Sequence, residues 1–229
     1  GQVDYAGGSA DTVATAESAG LSVVSAPYFN YGLIVLDREG SVVPALADEK
    51  VRRAMGHAID RDAIVSARGG DEFAVAIDQL TTDGEVGHID DAGLDYDLAE
   101  AKSLMAESGY PDGFSMTLLS QTPLDNQSLI TQTAISHLGE IGVEVTLEVA
   151  SAVPDFIQKA GSKQYGAIIW PITGDTASDY AQTFTVPGFM NAFGVTDSEL
   201  DDLVGQAIVA TGDEKTALEE QVTERSNEL

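Results

Sequence analysis

The clearest pattern in the chain is a helical spacing of apolar residues between positions 49 and 64. Small and apolar side chains recur there at intervals of three and four residues, which places them on the core-facing side of a helix: Val51, Ala54, Met55, Ala58 and Ile59. Asp60 ends this stripe, and its carboxylate can accept a hydrogen bond from the free N–H of Asp62 or Ala63. The pattern therefore predicts two helices in direct succession, with Asp60 as the N-cap of the second.

Strand patterns alternate with helical patterns along the rest of the chain. Residues 143–149 alternate strictly, with Val143, Val145, Leu147 and Val149 predicted to face the core. Residues 165–170 form a continuous apolar run, as in a strand covered on both faces. Further strands are predicted at 21–26, 31–37 and 114–120, and further helices at 11–20, 97–108, 125–142, 153–160, 196–210 and 213–229. This order predicts an α/β fold with a mixed, mostly parallel sheet flanked by helices.

Several helix starts carry a recognisable cap. Asp48 is the predicted N-cap of the helix that contains Val51. Asp97 with Glu100, and Thr196 with Glu199, have the spacing of a capping box, in which the first side chain accepts from the backbone three residues on.

The charge and the cysteine count exclude several kinds of partner and chemistry. The chain has 11 basic and 38 acidic residues, a net charge of −27, and such a surface repels nucleic acid and anionic lipid. It contains no cysteine, so cysteine nucleophiles, disulfides and cysteine-bound metals are excluded. It has no apolar run of about 18 residues, so no membrane span is predicted.

The sequence gives little support to an enzyme. His57, His88 and His137 are isolated, no serine lies in a GxSxG setting, and no glycine-rich phosphate loop occurs. No catalytic residue, cofactor or metal is therefore expected. The enzyme that stays possible is a hydrolase that uses scattered carboxylates. A cleft that holds two neighbouring acids, one with a raised pKa, would favour it.

An acidic segment lies in the middle of the chain and contains Asp83, Glu85, His88, Asp90 and Asp91. Its spacing does not match that of an EF-hand loop. We interpret it as a solvated acidic loop in preference to a cation site.

The best candidate for a binding site is the loop after the predicted strand 165–170. Ligands bind beyond the carboxyl ends of the strands in open α/β sheets, and this loop carries Thr173, Asp175 and Asp179. A carboxylate there can pair with a cationic group, while Thr173 and exposed backbone can bind an extended ligand. Asp175 can equally cap a helix over residues 176–185. Trp170 ends an apolar strand and is interpreted first as a core residue.

Four ordered stretches of the chain resemble one protein family. They read VRRAMGHAIDRDAIV at 51–65, YDLAEAKSLMAESGYPDGFSMTL at 96–118, HLGEIGVEVTLE at 137–148 and TDSELDDLVGQA at 196–207. Together they resemble the family 5 extracellular solute-binding proteins, which are the peptide, nickel and related-ligand receptors of ABC importers.

The resemblance implies a domain organisation and a function. Residues 1–229 look like a single lobe, the second or C-terminal lobe of a two-lobe receptor with the periplasmic-binding-protein type II fold, without its N-terminal lobe. The implied function is to bind a peptide or similar small solute between two lobes that close about a hinge, and to deliver it to the membrane subunits of an ABC permease. The implied location is the periplasm or the outer face of the cell membrane, with a lipid anchor on the full-length protein. A monomer is expected.

The resemblance also assigns roles in the loop after residue 170. Peptide-binding members of the family hold the α-ammonium of the peptide with an aspartate, and alignment gives that role to Asp175, next to Thr173 and Gly174. Asp179 is the rival acid. The backbone of the adjacent strand pairs with the peptide as an added strand.

The same resemblance also relates other positions of this region to the family pattern. Pro171 and Ile172 stand where the family has Gly-Trp, and Trp170 lies two residues before the family's tryptophan. Asn191 and Phe193 follow a loop that faces the cleft in the family, although ordinary turn chemistry is the interpretation we prefer for both.

A second function from another class stays open. The chain could be a stand-alone acidic interaction domain that binds a protein partner and no small molecule. A stable dimer that buries residues 170–180 would favour it.

Overall fold

The computed structural model describes residues 6–8, 10–24, 30–121, 127–172, 176–185, 188 and 190–229. The strands are β1 (Asn30–Val35), β2 (Phe114–Gln121), β3 (Val143–Ala150) and β4 (Ala167–Ile172). The helices are α1 (Ala10–Ser18), α2 (Glu49–Ala58), α3 (Arg61–Ala67), α4 (Leu98–Glu107), α5 (Gln127–Gly139), α6 (Val153–Ala160), α7 (Thr176–Thr183), α8 (Ser198–Val209) and α9 (Asp213–Asn227). A 3₁₀ turn over Pro44–Ala47 precedes α2.

The four strands form one sheet in the order β1-β4-β2-β3. β2 runs parallel to both β3 and β4, whereas β1 runs antiparallel to β4. The predicted α/β fold with a mixed, mostly parallel sheet is therefore confirmed.

Helices cover both faces of the sheet. On one face, buried side chains of β2 and β4 such as Leu118 and Ile169 pack with Val51, Met55 and Leu138 of α2 and α5. On the other face, a second group of buried side chains packs under α6: Ile34, Leu119, Phe156 and Ile168. The continuous apolar run in β4 follows from this arrangement, because its successive residues enter opposite cores.

A third group of buried residues joins the last three helices. Tyr180 of α7, Leu200 and Val204 of α8, and Val222 of α9 pack together away from the central strands. This cluster holds α7, which follows the candidate loop, against the C-terminal helices.

Three predicted helix caps are confirmed. Asp48 accepts from Lys50 N at 2.9 Å, Asp60 accepts from Ala63 N at 2.8 Å, and Asp97 accepts from Ala99 N and Glu100 N at 2.9 Å each. Each carboxylate satisfies N–H groups that have no partner inside the helix. These caps fix the boundaries of the two helices that abut at Asp60.

Three local predictions are wrong. Residues 21–24 of the predicted strand 21–26 form no strand, and residues 25–26 lie outside the described part. Asp197, and not Thr196, caps α8, because its carboxylate accepts from Leu200 N at 2.8 Å. Val149 is 47% exposed, since the buried side chain at the end of β3 is Ala150, which faces the core under α6.

Candidate ligand-binding site

The three parallel strands place their carboxyl ends at one edge of the sheet, which we call the carboxyl edge. In the paired register, Gln121 of β2 lies opposite Ala150 of β3, and β4 runs in the same direction to end at Ile172. α6 starts three residues after β3, and α7 starts four residues after β4. The predicted site therefore lies where the geometry of an open α/β sheet puts a ligand.

The core of the predicted loop lies outside the described residues. Thr173, Gly174 and Asp175 belong to this part, and only the backbone of Ile172 is described, as the last residue of β4. The cap and ligand-contact interpretations of Asp175 both stay predictions.

Trp170 lies in β4 near the carboxyl edge. Its ring stacks on Phe156 of α6, with centroids 4.7 Å apart and an angle of 20° between the planes. Phe156 is fully buried, while Trp170 is partly exposed. Part of the Trp170 ring thus packs on the core, and its remaining surface lies at the end of the strand that leads into the loop.

Asn191 and Phe193 are both held within the protein. The Asn191 amide donates to the carbonyl oxygens of Phe184, Thr185 and Val195, at 2.7–3.1 Å, and its oxygen accepts from Val195 N. This pattern supports the interpretation as turn chemistry. Phe193 packs against the same core cluster as Trp170.

Asp179 lies in the first turn of α7 and is only 8% exposed. Two hydrogen bonds hold the start of this helix. Thr176 Oγ1 donates to Val86 O at 2.8 Å, and Ala177 N donates to Glu219 Oε1 of α9 at 3.4 Å. These two contacts fix the start of α7.

Glu219 is a buried residue that the sequence did not indicate. It is fully buried, and Lys215 Nζ lies 3.5 Å from its Oε1. Its other oxygen, Oε2, has no hydrogen-bond partner in the described part of the chain. Thr223, one helical turn further on, donates to Gly87 O at 2.7 Å. In the sequence both are ordinary polar residues of a charged helix, so no local signal could have singled them out.

An exposed apolar patch lies beside the carboxyl edge. It consists of Val149 at the end of β3 and of Val153 and Ile157 on one side of α6, which are 47%, 48% and 43% exposed. Lys159 of α6 lies 2.9 Å from Glu148 and 3.4 Å from Asp155. The hydrogen bond from Lys159 lowers the pKa of Glu148, and the backbone N–H of Ser151 lowers that of Asp155. These contacts fix α6 to the end of β3.

The acidic segment gathers three of its predicted members. Ligand atoms of Asp83, His88 and Asp90 all lie within 4.8 Å of one another. The Asp90 side chain is 91% exposed, and His88 Nδ1 lies 3.3 Å from Thr81 O. Exposed carboxylates on a loop fit the interpretation as a solvated segment.

The fold is similar to that of solved substrate-binding proteins. HbpA2 from Haemophilus parasuis superposes with a TM-score of 0.74 at 22% identity, over 95% of this chain and 44% of that one. DppA from Helicobacter pylori, a periplasmic binding protein associated with an ABC transporter and in complex with the peptide STSA, superposes with a TM-score of 0.74 at 18% identity, over 96% and 44%. None of the described helices is long and apolar enough to cross a bilayer.

Comparison of sequences gives the family. A glutathione-binding protein, GsiB of Shigella flexneri serotype 5b, is 27% identical over 184 residues, which are 74% of this chain and 35% of that protein. The chain thus spans about a third of this relative and less than half of the two solved proteins. The family model described as bacterial extracellular solute-binding proteins, family 5 Middle, matches residues 1–189. The chain belongs to this family of solute-binding proteins.

Proposed function

We propose that this chain is the second lobe of a two-lobe receptor that binds a peptide or a similar small solute and delivers it to an ABC permease. The observation that carries the proposal is the carboxyl edge of β2, β3 and β4, in a chain that belongs to a solute-binding family. A ligand at this edge meets backbone from a strand end and side chains from two helix starts.

The proposed organisation follows from length and fold. The chain covers 44% of the length of DppA, and its described residues form one sheet. The other lobe comes from the rest of the full-length protein, and the solute lies between the two as they close. We propose a monomeric receptor outside the cytoplasm, lipid-anchored in its full-length form, that performs no chemistry on its ligand.

The proposed ligand contacts lie along β4 and the loop after it. Asp175 pairs with an ammonium group of the ligand, with Asp179 as the alternative, while Ile172, Thr173 and Gly174 offer backbone and hydroxyl groups. Trp170 supplies an apolar wall through its partly exposed ring, and Phe193 packs against the same core cluster. Asn191 contributes by fixing the turn beside them.

The test is thermal unfolding of the two-lobe protein with peptides, oligosaccharides and metal chelates. Glutathione, a tripeptide with one ammonium group, enters the panel because of the name of the relative. A ligand at about 100 times its Kd adds roughly 2.7 kcal/mol to the free energy of unfolding. We expect a peptide to raise the melting temperature and Asp175→Ala to abolish that rise.

Glu224→Ala is the matched control, because it removes one negative charge from an exposed position of α9. It should leave the peptide effect intact. If a solute raises the melting temperature of Asp175→Ala as much as that of the wild type, Asp175 is not a ligand contact, but the receptor function still holds. If no solute in the panel raises the melting temperature, the proposed function is contradicted.

A further inference from the structure

The short connection between β4 and α7 contains Asp175, the proposed ligand contact. β4 ends at Ile172 and α7 begins at Thr176, so Asp175 directly precedes the helix. Consecutive Cα atoms are no more than about 3.8 Å apart. The position of Asp175 therefore depends directly on where α7 begins.

The start of α7 is buried against residues that are distant in the sequence. Thr176 and Ala177 are only 3% and 0% exposed. Thr176 Oγ1 donates to Val86 O, and Ala177 N donates to Glu219 Oε1 of α9 at 3.4 Å. Ala177 N is one of the first four N–H groups of the helix, which have no acceptor inside it. Glu219 thus caps α7 from another helix.

The segment around Gly87 holds α9 against the start of α7. An added Cβ at Gly87 would lie 3.1 Å from Glu219 Cβ, so the two backbones are closely packed. Thr223, one turn further along α9, donates to Gly87 O at 2.7 Å. These contacts keep the Glu219 carboxylate next to Ala177 N.

Glu219 is poorly explained as a purely structural residue. It is fully buried, and its Oε2 has no hydrogen-bond partner among the described residues. Lys215 Nζ lies 3.5 Å from the other oxygen. A buried carboxylate with an unsatisfied oxygen lowers stability, and an apolar side chain of similar volume is often at least as stable. Glu219 also lies beyond residues 1–189, which the family model matches.

We propose that Glu219 is a positioning residue of the proposed ligand site. By accepting from Ala177 N, it holds the first turn of α7, which carries Asp179. It thereby sets the point at which the loop with Asp175 ends, without touching the ligand itself. The inference rests on the proposed function, because it concerns the same site.

Peptide binding by variants of the two-lobe protein tests this role, with titration calorimetry as the measurement. Glu219→Leu removes the acceptor and should weaken binding about tenfold, the order expected for one lost buried hydrogen bond. Glu219→Gln keeps a carbonyl oxygen for Ala177 N and should bind within about threefold of the wild type.

Leu138→Ala is the control for loss of stability. Leu138 is fully buried in the core cluster under α2 and α5, away from α7. Its truncation leaves a cavity and should lower the melting temperature more than Glu219→Leu does. It should leave the affinity for the peptide unchanged.

Three results of this comparison overturn the proposal. Glu219→Leu could bind the peptide as tightly as the wild type, or Glu219→Gln could lose as much affinity as Glu219→Leu. In both cases the acceptor oxygen has no part in binding. If Leu138→Ala weakens binding as much as Glu219→Leu, loss of stability alone accounts for the effect.

Amide hydrogen exchange of the wild-type protein gives a readout that needs no variant. If ligand affinity depends on the bond from Ala177 N to Glu219, bound ligand must stabilise that bond by the same factor. We therefore expect saturating peptide to slow exchange of the Ala177 amide about tenfold. The Ala99 amide, at the second residue of α4 and capped by Asp97, is the matched control and should not change. Unchanged exchange at Ala177 overturns the proposal.

Failure of this proposal is distinguishable from failure of the proposed function. If the wild type and Glu219→Leu bind a peptide equally well, the receptor function holds and Glu219 has no positioning role. If the wild type binds no solute, the proposed function is contradicted, and this inference with it.

Discussion

Arg225 of α9 and Asp197 form a two-point ion pair. Arg225 Nε lies 3.2 Å from Asp197 Oδ1, and Nη2 lies 2.6 Å from Oδ2. The side chains are 25% and 20% exposed. Since the same carboxylate caps α8 through Leu200 N, one residue joins the start of α8 to the end of α9.

Loss of Asp197 should therefore cost more than loss of Arg225. Asp197→Ala removes a cap worth about 1 kcal/mol and an ion pair worth about 1 kcal/mol. Arg225→Met leaves the cap in place and removes this pair together with the contacts of Arg225 with the exposed Glu199 and Glu228, so we expect a smaller loss than for Asp197→Ala. Urea unfolding followed by circular dichroism measures both. Glu220→Ala, at an exposed position of α9, is the control and should change stability by less than about 0.5 kcal/mol. Equal losses for Asp197→Ala and Arg225→Met would show that the cap contributes nothing.

The same pair predicts a dependence of stability on pH. The hydrogen bond from Arg225 lowers the pKa of Asp197 below that of an unfolded chain, which is about 3.9. The stabilisation is therefore fully present above the unfolded pKa and disappears as the pH falls through the folded pKa. The difference in urea midpoint between wild type and Asp197→Asn should be constant above about pH 5 and shrink below pH 4. A constant difference down to pH 2 contradicts this role.

A side chain at position 87 is expected to clash with the start of α7 and to lower stability. The φ of Gly87 is +86°, and an added Cβ would lie 2.8 Å from Thr176 Oγ1 and 3.1 Å from Glu219 Cβ. Gly87→Ala should cost about 2–3 kcal/mol, from backbone strain and from this overlap. Gly84→Ala is the matched control, because φ is +81° there and nothing lies within 4 Å of the added Cβ. It should cost only about 1 kcal/mol. Equal losses in chemical unfolding would mean that the overlap is relieved without cost.

Substitution of Phe156 is expected to change the fluorescence emission of Trp170, which stacks on it. Phe156→Leu should destabilise the protein by about 1.5 kcal/mol and shift the emission of Trp170, the single tryptophan, to longer wavelength, because the stacked ring no longer shields the indole. Phe114→Leu changes a residue at the opposite core cluster and should leave the emission unchanged. An unshifted spectrum of Phe156→Leu would show that other groups shield Trp170.

Features set by neighbours in sequence were predictable. Asp48, Asp60 and Asp97 cap helices because their carboxylates reach N–H groups two or three residues away, which a sequence displays directly. The double burial of β4 was equally visible, because both of its faces had to be apolar. The proposed position of the site rests on the alternation of strands and helices, which also predicted the carboxyl edge of the sheet.

Features set by distant neighbours were not predictable. Val149 continues a perfect alternation, yet it is exposed because the core at that end of β3 lies under Ala150 and Phe156. Glu219 contacts α7 across 42 positions of sequence, and no periodicity records such a contact. The spacing of Thr196 and Glu199 predicted Thr196 as the cap, whereas the structure has Asp197 in that role, where it also pairs with Arg225 across 28 positions of sequence.

The exposed start of α6 makes the lobe suitable as an optical sensor. Val153 is 48% exposed next to the carboxyl edge, and the chain has no native cysteine to compete for a thiol-reactive dye. A single Val153→Cys substitution would therefore carry one fluorophore beside the proposed solute site. In the two-lobe receptor that we propose, arrival of the opposing lobe would change the polarity around that dye, so that closing could be followed by fluorescence in real time.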